Sequence, residues 1–542
     1  MTTFLGCPIA ANRTIQSEAV KEIVYKLTNQ IDLCAKDNTV STQTAMTLLR
    51  LSFNKKLDYL MRCLSPEVFL SSSIAVSHSV MPAPAGSSFD ETVRDAVRPL
   101  VIRGASSMNL SDANPGHVNL AEKFHTSILR FVFERMNVDP APFLAQSNGE
   151  NDNFNPVDLI HLPLAYGGLG LAPVMWRSEF CYLASLANTM RTKTRISIFH
   201  ELHDFMSAHT SLDYQPHEDG PSTNAALNPD FADDLLNKNA LFYELQSAID
   251  CAGVKGFGQL RECMPANIDE FFYNFLLGRD SQATALPMKG LQHKWSEFAK
   301  KGHQDLLKSK LNTEAKLAHY NCITAPGANK WLTALPASPS TTLSNEDFAI
   351  SLLMHLNIHP DSRKDVIGSI FSTDFCPACG SNEALLDNPW HFVGCSELKR
   401  AFKDRHDQLV EVMRAHLDRL NAGVSKEPAN VYDTHEHTAA ERGLRPDIRV
   451  ILDDKKVLLD LSVTHPLAKS YIHGASQRRL AAAHEREKVK LKKYVPATNK
   501  LHNHSFLPIV FESYGGVAKD AQDFIKTIAR YADQNSLTAA PS

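Results

Sequence analysis

The sequence predicts a multidomain protein with mainly α-helical N-terminal and middle regions, a small cysteine-containing segment and a C-terminal α/β domain. Its 542 residues suffice for roughly three or four domains. Helical periodicity predominates up to about residue 357, whereas the alternation typical of strands appears after residue 445. We expect the boundaries to fall at 1–190, 191–345, 346–400 and 401–535.

Composition restricts the class of protein. A formal net charge of −4 excludes a uniformly basic nucleic-acid binder, so any such surface must be local. Seven of the ten cysteines are isolated, which suits a reducing compartment. We find neither a signal peptide nor an apolar stretch of the ~18 residues that a membrane helix needs. We therefore expect a nuclear or cytoplasmic protein without a membrane partner.

The N-terminal region is predicted to be helical at about 17–36, 41–64, 89–103, 118–136 and 173–190. The second of these helices interleaves leucines with four basic residues, Arg50, Lys55, Lys56 and Arg62. Basic residues beside an apolar stripe suit contact with a phosphate backbone, although a solvated helix face has the same pattern. The glycine-rich stretch 162–171 lacks the Lys-Ser/Thr of a phosphate loop, which favours a tight packing turn.

A Pro/Ala/Ser/Thr-rich run at 326–345 reads as a linker, and a helix at 346–357 follows it. Next comes the spacing C-x2-C-x11-H-x3-C, formed by Cys376, Cys379, His391 and Cys395. Two correctly spaced pairs of this kind can complete a tetrahedron around Zn²⁺. Because four protein ligands leave no open position, the sequence predicts a structural zinc knuckle.

The segment 445–464 has the pattern of a β-hairpin, in which apolar runs flank a polar break at 453–456. A symmetric four-residue turn would place Asp447 opposite Ser462, with Asp460 one diagonal step away on the same face. Two carboxylates roughly 5–8 Å apart suit a shared Mg²⁺ ion. Two ordinary surface aspartates are the alternative interpretation.

A lysine-rich helix is predicted after this hairpin, and 506–514 is predicted as a core strand with its exit turn. Between residues 478 and 500 there are eight Lys/Arg against two acids, a local charge of +6. Arg478, Arg479 and Lys492 are therefore candidate nucleic-acid ligands.

Several short motifs follow one another along the chain: Leu5-Gly6 with Pro8-Ile9, the stretch 41–67, LPLAYGGLGL with 180–186, Trp331-Leu332, the knuckle, Arg405-His406-Asp407, Glu427-Pro428 and Arg445-Pro446-Asp447. Their order resembles the C-terminal portion of a non-LTR retrotransposon reverse transcriptase that ends in a restriction-like endonuclease, with 41–67 similar to the thumb. The resemblance implies that the C-terminal domain has the PD-(D/E)XK fold.

The same resemblance implies a target-nicking DNA endonuclease in which Asp447 and Asp460 hold Mg²⁺, with the main-chain carbonyl of Leu461 as a third ligand. The usual lysine position is Ser462, so the lysine would come from the next helix. Further candidates for the catalytic site are Lys490, Lys493 and Tyr494 in a K-x2-KY pattern, Lys488 as the rival lysine, and Glu427 as a third acid from an upstream helix. His465 is expected to be structural.

The expected partners are target DNA, element RNA and a separate polymerase-bearing chain. The catalytic palm motif is not recognisable, so we expect no polymerase activity from this chain alone. A catalytically inactive nucleic-acid-binding remnant, or a domesticated host protein, is the alternative. A purely structural scaffold is disfavoured because it would give the acids and the basic helix no purpose.

Overall fold

The computed structural model describes residues 2–4, 7–9, 13–64, 120–146, 154–173, 181–185, 291–364, 376, 378–380, 388–420, 422–452 and 454–538. The predicted helix at 89–103 and most of that at 173–190 lie outside these residues, as does the greater part of the segment 191–345. None of the helices in the described ranges is both long and apolar enough to cross a lipid bilayer.

The N-terminal region is helical, as the sequence predicts. It begins with a two-stranded antiparallel hairpin, β1 (Thr2–Phe4) and β2 (Cys7–Ile9). Its helices are α1 (Arg13–Lys36), α2 (Thr42–Leu51), α3 (Asp58–Cys63), α4 (Leu120–Arg135), α5 (Ala141–Gln146) and α6 (Pro156–His161), and residues 181–185 are also helical. The predicted helix 41–64 is interrupted, because a 3₁₀ turn at Phe53–Lys55 separates α2 from α3.

The glycine-rich stretch 162–171 is a packing turn. Gly167 and Gly170 have φ values of 81° and 74°, which residues with a side chain rarely adopt. A Cβ atom on Gly168 would lie 1.9 Å from the carbonyl oxygen of Leu162. The carbonyl of Gly167 also accepts a hydrogen bond from buried His355, at 2.8 Å. The backbone of this turn is therefore committed to internal contacts.

The middle region contains α7 (Leu291–Ser309), α8 (Glu314–Ile323), α9 (Lys330–Thr333) and α10 (Asn345–His355). The run 326–345 is packed against α2, contrary to its interpretation as a linker. The amide of Gln43 donates to the carbonyls of Ala334 and Thr341, both at 3.0 Å, and its oxygen accepts from the N–H of Leu343. A buried side-chain amide thus holds the segment in place.

The C-terminal region is a four-stranded mixed sheet with helices on both faces. Its elements are α11 (Lys399–Asp418), β3 (Gly423–Lys426), α12 (Ala439–Arg442), β4 (Ile448–Leu452), β5 (Lys455–Thr464), α13 (Ile472–Gln477), α14 (Ala481–Thr498), β6 (His504–Glu512) and α15 (Lys519–Thr538). The strand order is β3-β4-β5-β6, and only the β5–β6 pair is parallel. A parallel pair requires a crossover connection, which α13 and α14 supply.

The two faces of the sheet are covered by different helices. Val410 of α11 and Phe524 of α15 join Ile448 and Leu461 in one apolar cluster. Leu458 of β5 and Tyr494 of α14 lie in a second apolar cluster. Side chains alternate between faces along a strand, so Leu458 and Asp460 point towards the face that α14 covers.

The sheet region is docked on the middle region. Asn321 of α8 donates hydrogen bonds at 2.9 Å to the carbonyls of Ala475 and Ser476 in α13. The N–H of Val517 donates to the carbonyl of Pro326, also at 2.9 Å. These contacts fix the sheet relative to the helices that precede it.

Candidate active site and metal centre

Cys376, Cys379, His391 and Cys395 form a cluster that could hold a metal ion. Their ligand atoms all lie within 4.8 Å of one another. The sulfur atoms of Cys376 and Cys395 are 3.9 Å apart, and the Cys379 sulfur lies 3.3 Å from Nε2 of His391. Ligands about 2.3 Å from a tetrahedral Zn²⁺ would be separated by roughly 3.8 Å, so these separations are compatible with zinc.

The Cys3His cluster lies between the middle region and the sheet. The indole N–H of buried Trp390 donates to the carbonyl of Ile358 at 3.1 Å. On the other side, a Cβ atom on Gly394 would lie 2.3 Å from the ring of His465, just beyond β5. His465 also hydrogen-bonds Ser513, which follows β6, at 2.8 Å. Its contacts are therefore those of a packing residue, and burial lowers its pKa to about 3.

The β4–β5 hairpin places the two predicted acids directly opposite each other. Leu452 pairs with Lys455, so the turn contains two residues and not the predicted four. Asp454 occupies the second turn position with φ of 64°, as short hairpin turns require. Ile448 pairs with Leu459, and this register continued by one residue sets Asp447 opposite Asp460. The expected register, with Asp447 opposite Ser462, is therefore wrong by two residues.

The carboxylate of Asp447 is held by neighbours from two elements. Its Oδ2 atom accepts a hydrogen bond of 2.6 Å from the N–H of Leu461. Its Oδ1 atom lies 3.4 Å from Nε2 of His406, on α11. Burial and the nearby charge of Asp460 raise the pKa of Asp447, although the Leu461 N–H opposes that shift. A cation at the pair would relieve this repulsion.

Asp460 is paired with Lys490 of α14 at the buried centre of the site. Its side chain is only 4% exposed and that of Lys490 only 13%. Tyr494 follows one helical turn later and donates a 3.0 Å hydrogen bond to the carbonyl of Arg445. Burial, followed by the charge of Asp460, raises the pKa of Tyr494, so its hydroxyl stays protonated. Lysine and tyrosine thus approach the acids from the same helix face.

The other predicted catalytic residues are placed differently. Lys488 is 66% exposed and pairs with Glu485 on its own helix, at 2.7 Å. Lys493 reaches the Tyr494 hydroxyl at 3.4 Å. Glu427 was expected on an upstream helix, but it lies directly after β3. Its backbone N–H donates to the Asp447 carbonyl at 2.7 Å, and its side chain is exposed.

The predicted nucleic-acid ligands divide into one buried contact and a set of exposed cations. Half-buried Arg50 donates one hydrogen bond from its guanidinium to the carbonyl of Leu332 in α9, at 2.8 Å. Lys55 lies 3.5 Å from Asp58 and remains half exposed. The remaining predicted ligands are also exposed: Lys56, Arg62, Arg478, Arg479 and Lys492.

Sequence reasoning did not assign His406 to the site. The residue lies 41 positions before Asp447, on α11. This helix packs against the sheet face opposite to the one that α14 covers. The stretch Arg405-His406-Asp407 stands out in the sequence, but neither its spacing nor its composition connects it with an aspartate in a hairpin. Only the packing of α11 brings the ring to Asp447.

No protein-family model matches this chain, and no curated protein matches it significantly. The arrangement of its residues must therefore carry the functional argument. Two opposed carboxylates, a buried lysine and a protonated tyrosine form a donor set suited to a hard divalent cation and a phosphate oxygen.

Proposed function

We propose that the C-terminal sheet region is a Mg²⁺-dependent endonuclease of the restriction-like, PD-(D/E)XK type that nicks DNA. The observation that carries the proposal is the hairpin register, which continues from the Ile448–Leu459 pair to set Asp447 opposite Asp460, with the largely buried Lys490 paired with the second acid. Like charges this close are unfavourable unless a cation offsets them. The oxygen-rich donor set fits Mg²⁺.

Each residue has a role that follows from its contacts. Asp447 and Asp460 would hold the metal, with Asp447 oriented by the Leu461 N–H. Lys490 forms an ion pair with Asp460 and would orient the attacking water, while Tyr494 fixes the Arg445 backbone that precedes Asp447. A bound Mg²⁺ would lower the pKa of its water and stabilise charge on the phosphate.

We further propose that the Cys3His cluster binds structural zinc, which braces the sheet region. Four protein ligands complete the coordination of Zn²⁺ and leave no position for a substrate. The packing of Gly394 against His465 supports a bracing role, since His465 directly follows β5. Metal analysis of the purified protein should find about one zinc per chain, and a Cys376→Ser variant that retained full zinc would contradict this assignment.

The origin that fits this order of segments is a non-LTR retrotransposon reverse transcriptase. On this proposal the substrate is target DNA, and element RNA and a polymerase-bearing chain are partners. Its support is the resemblance of the sequence together with the acid pair and the cysteine cluster in chain order.

A nicking assay tests the nuclease. Purified protein should nick supercoiled DNA with Mg²⁺ and not with EDTA, and Asp447→Asn or Asp460→Asn should abolish nicking. Asp454→Asn is the matched control, because this aspartate lies in the turn of the same hairpin and is exposed. Unchanged nicking in both site variants would refute the assignment. Salt-sensitive binding without nicking by the wild type would favour the inactive remnant.

A further inference from the structure

The two helices that reach the acid pair carry further cations on the same faces. On α11, Lys399 and Lys403 precede His406 by seven and three positions. Such positions lie on one face of a helix. The same face continues into the core through Val410. Lys399 and Lys403 therefore extend from the acid pair along the outer end of α11.

These lysines are free to bind an external anion. Both are exposed, and neither forms an ion pair with any residue that the structure describes. Residues 399–407 contain four cations and two acids, Asp404 and Asp407, a local charge of +2. Of the other two cations, Arg400 is exposed, whereas Arg405 is half-buried over the ring of Phe402 at 5.1 Å.

The helix on the other face of the sheet repeats this arrangement. Arg486 of α14 lies four positions before Lys490, on the face that meets Asp460. Its side chain is half-buried and has no ion pair within the described ranges. Since α11 and α14 cover opposite faces of the sheet, their cations flank the aspartates from two sides.

We propose that Lys399, Lys403 and Arg486 form a phosphate-binding path that guides a DNA strand past Asp447 and Asp460. This inference rests on the proposed nuclease only in naming DNA as the ligand. The acid pair by itself repels a phosphate backbone, so a strand approaches it only where cations on both sides offset that charge. Each phosphate contact releases counterions, which gives a measurable signature in salt dependence.

The test is the binding of a fluorescent DNA duplex in buffer without Mg²⁺ or chelator, over a range of salt concentrations. The variants are Lys399→Glu/Lys403→Glu and, separately, Arg486→Gln. The matched control is Lys301→Glu/Lys308→Glu, which reverses two exposed lysines on α7 in the middle region. Losing two contacts should make the slope of log K against log salt less negative by about 1.8, and losing one should make it less negative by about 0.9. The control should keep the wild-type slope.

The salt dependence of DNA binding decides whether the phosphate-binding path exists. A wild-type slope in the α11 variant, or wild-type protein that binds DNA without salt dependence, would overturn the path. Less negative slopes in the variants support the phosphate-binding path even if neither the wild type nor any variant nicks DNA with Mg²⁺. In that case only the nuclease proposal fails. Melting curves confirm that the variants fold, and Lys399→Ala/Lys403→Ala replaces the charge reversal if that variant does not.

Discussion

Replacing Lys490 by methionine is the sharpest perturbation of the site. The substitution keeps the length of the side chain and removes its charge. In the wild type this charge faces Asp460, and the exposed fractions of the two side chains are 13% and 4%. The variant therefore leaves a buried carboxylate without its cation.

The expected cost follows from that burial. Removing one partner of a buried ion pair destabilises a protein by about 3–5 kcal/mol. The double variant Asp460→Asn/Lys490→Met should recover much of this loss, since neither side chain is then charged. Nicking should fall by roughly 10²–10³ in Lys490→Met, the range for loss of one preorganised electrostatic contact, and the double variant should remain inactive.

Urea denaturation with and without Mg²⁺ measures the change in stability, and the nicking assay measures the change in activity. A cation that binds only the folded state stabilises it, and it should stabilise Lys490→Met more than the wild type because it replaces the missing charge. Lys488→Met is the matched control, because Lys488 is 66% exposed and should change neither stability nor nicking. A Lys490→Met variant with wild-type stability would refute the reasoning.

Three further predictions concern the surroundings of the site. Gly394→Ala should lower the melting temperature and weaken metal retention, since its Cβ would lie 2.3 Å from the ring of His465; unchanged zinc content and melting would contradict the bracing role. Arg50→Ala should cost about 1–3 kcal/mol in urea denaturation through the lost contact to Leu332, while the salt slope of DNA binding stays unchanged. Burial lowers the pKa of His125, His319 and His355. The unfolded chain therefore binds protons first, and stability should fall as pH drops from about 6.5 towards 4. Denaturation that does not depend on pH over this range would contradict the prediction.

Local patterns in the sequence determine much of this architecture. The cysteine and histidine spacing predicts the Cys3His cluster, because each of its two pairs is close in sequence and a local turn brings its side chains together. Periodicity likewise predicts α1, α10 and β6, since amphipathic segments show which face they bury. The endonuclease assignment and the identity of the metals stay predictions.

The hairpin register depended on the turn and not on the strands. The polar break allows either a four-residue or a two-residue turn, and both keep the apolar side chains on the same face. Pairing of Leu452 with Lys455 selects the shorter turn and brings Asp447 opposite Asp460. A shift of two residues conserves the alternation, so the sequence pattern could not distinguish them.

Helical spacing could not assign the lysines or Arg50, because several basic residues fit the same local pattern. Packing of α14 on the sheet turns Lys490 towards Asp460 and leaves Lys488 in solvent. Packing of the 326–345 segment on α2 likewise occupies Arg50. The sequence by itself determined which chemical groups the protein has and which elements carry them. Only the tertiary structure decided which groups meet, since contacts between distant segments depend on how whole helices and strands pack.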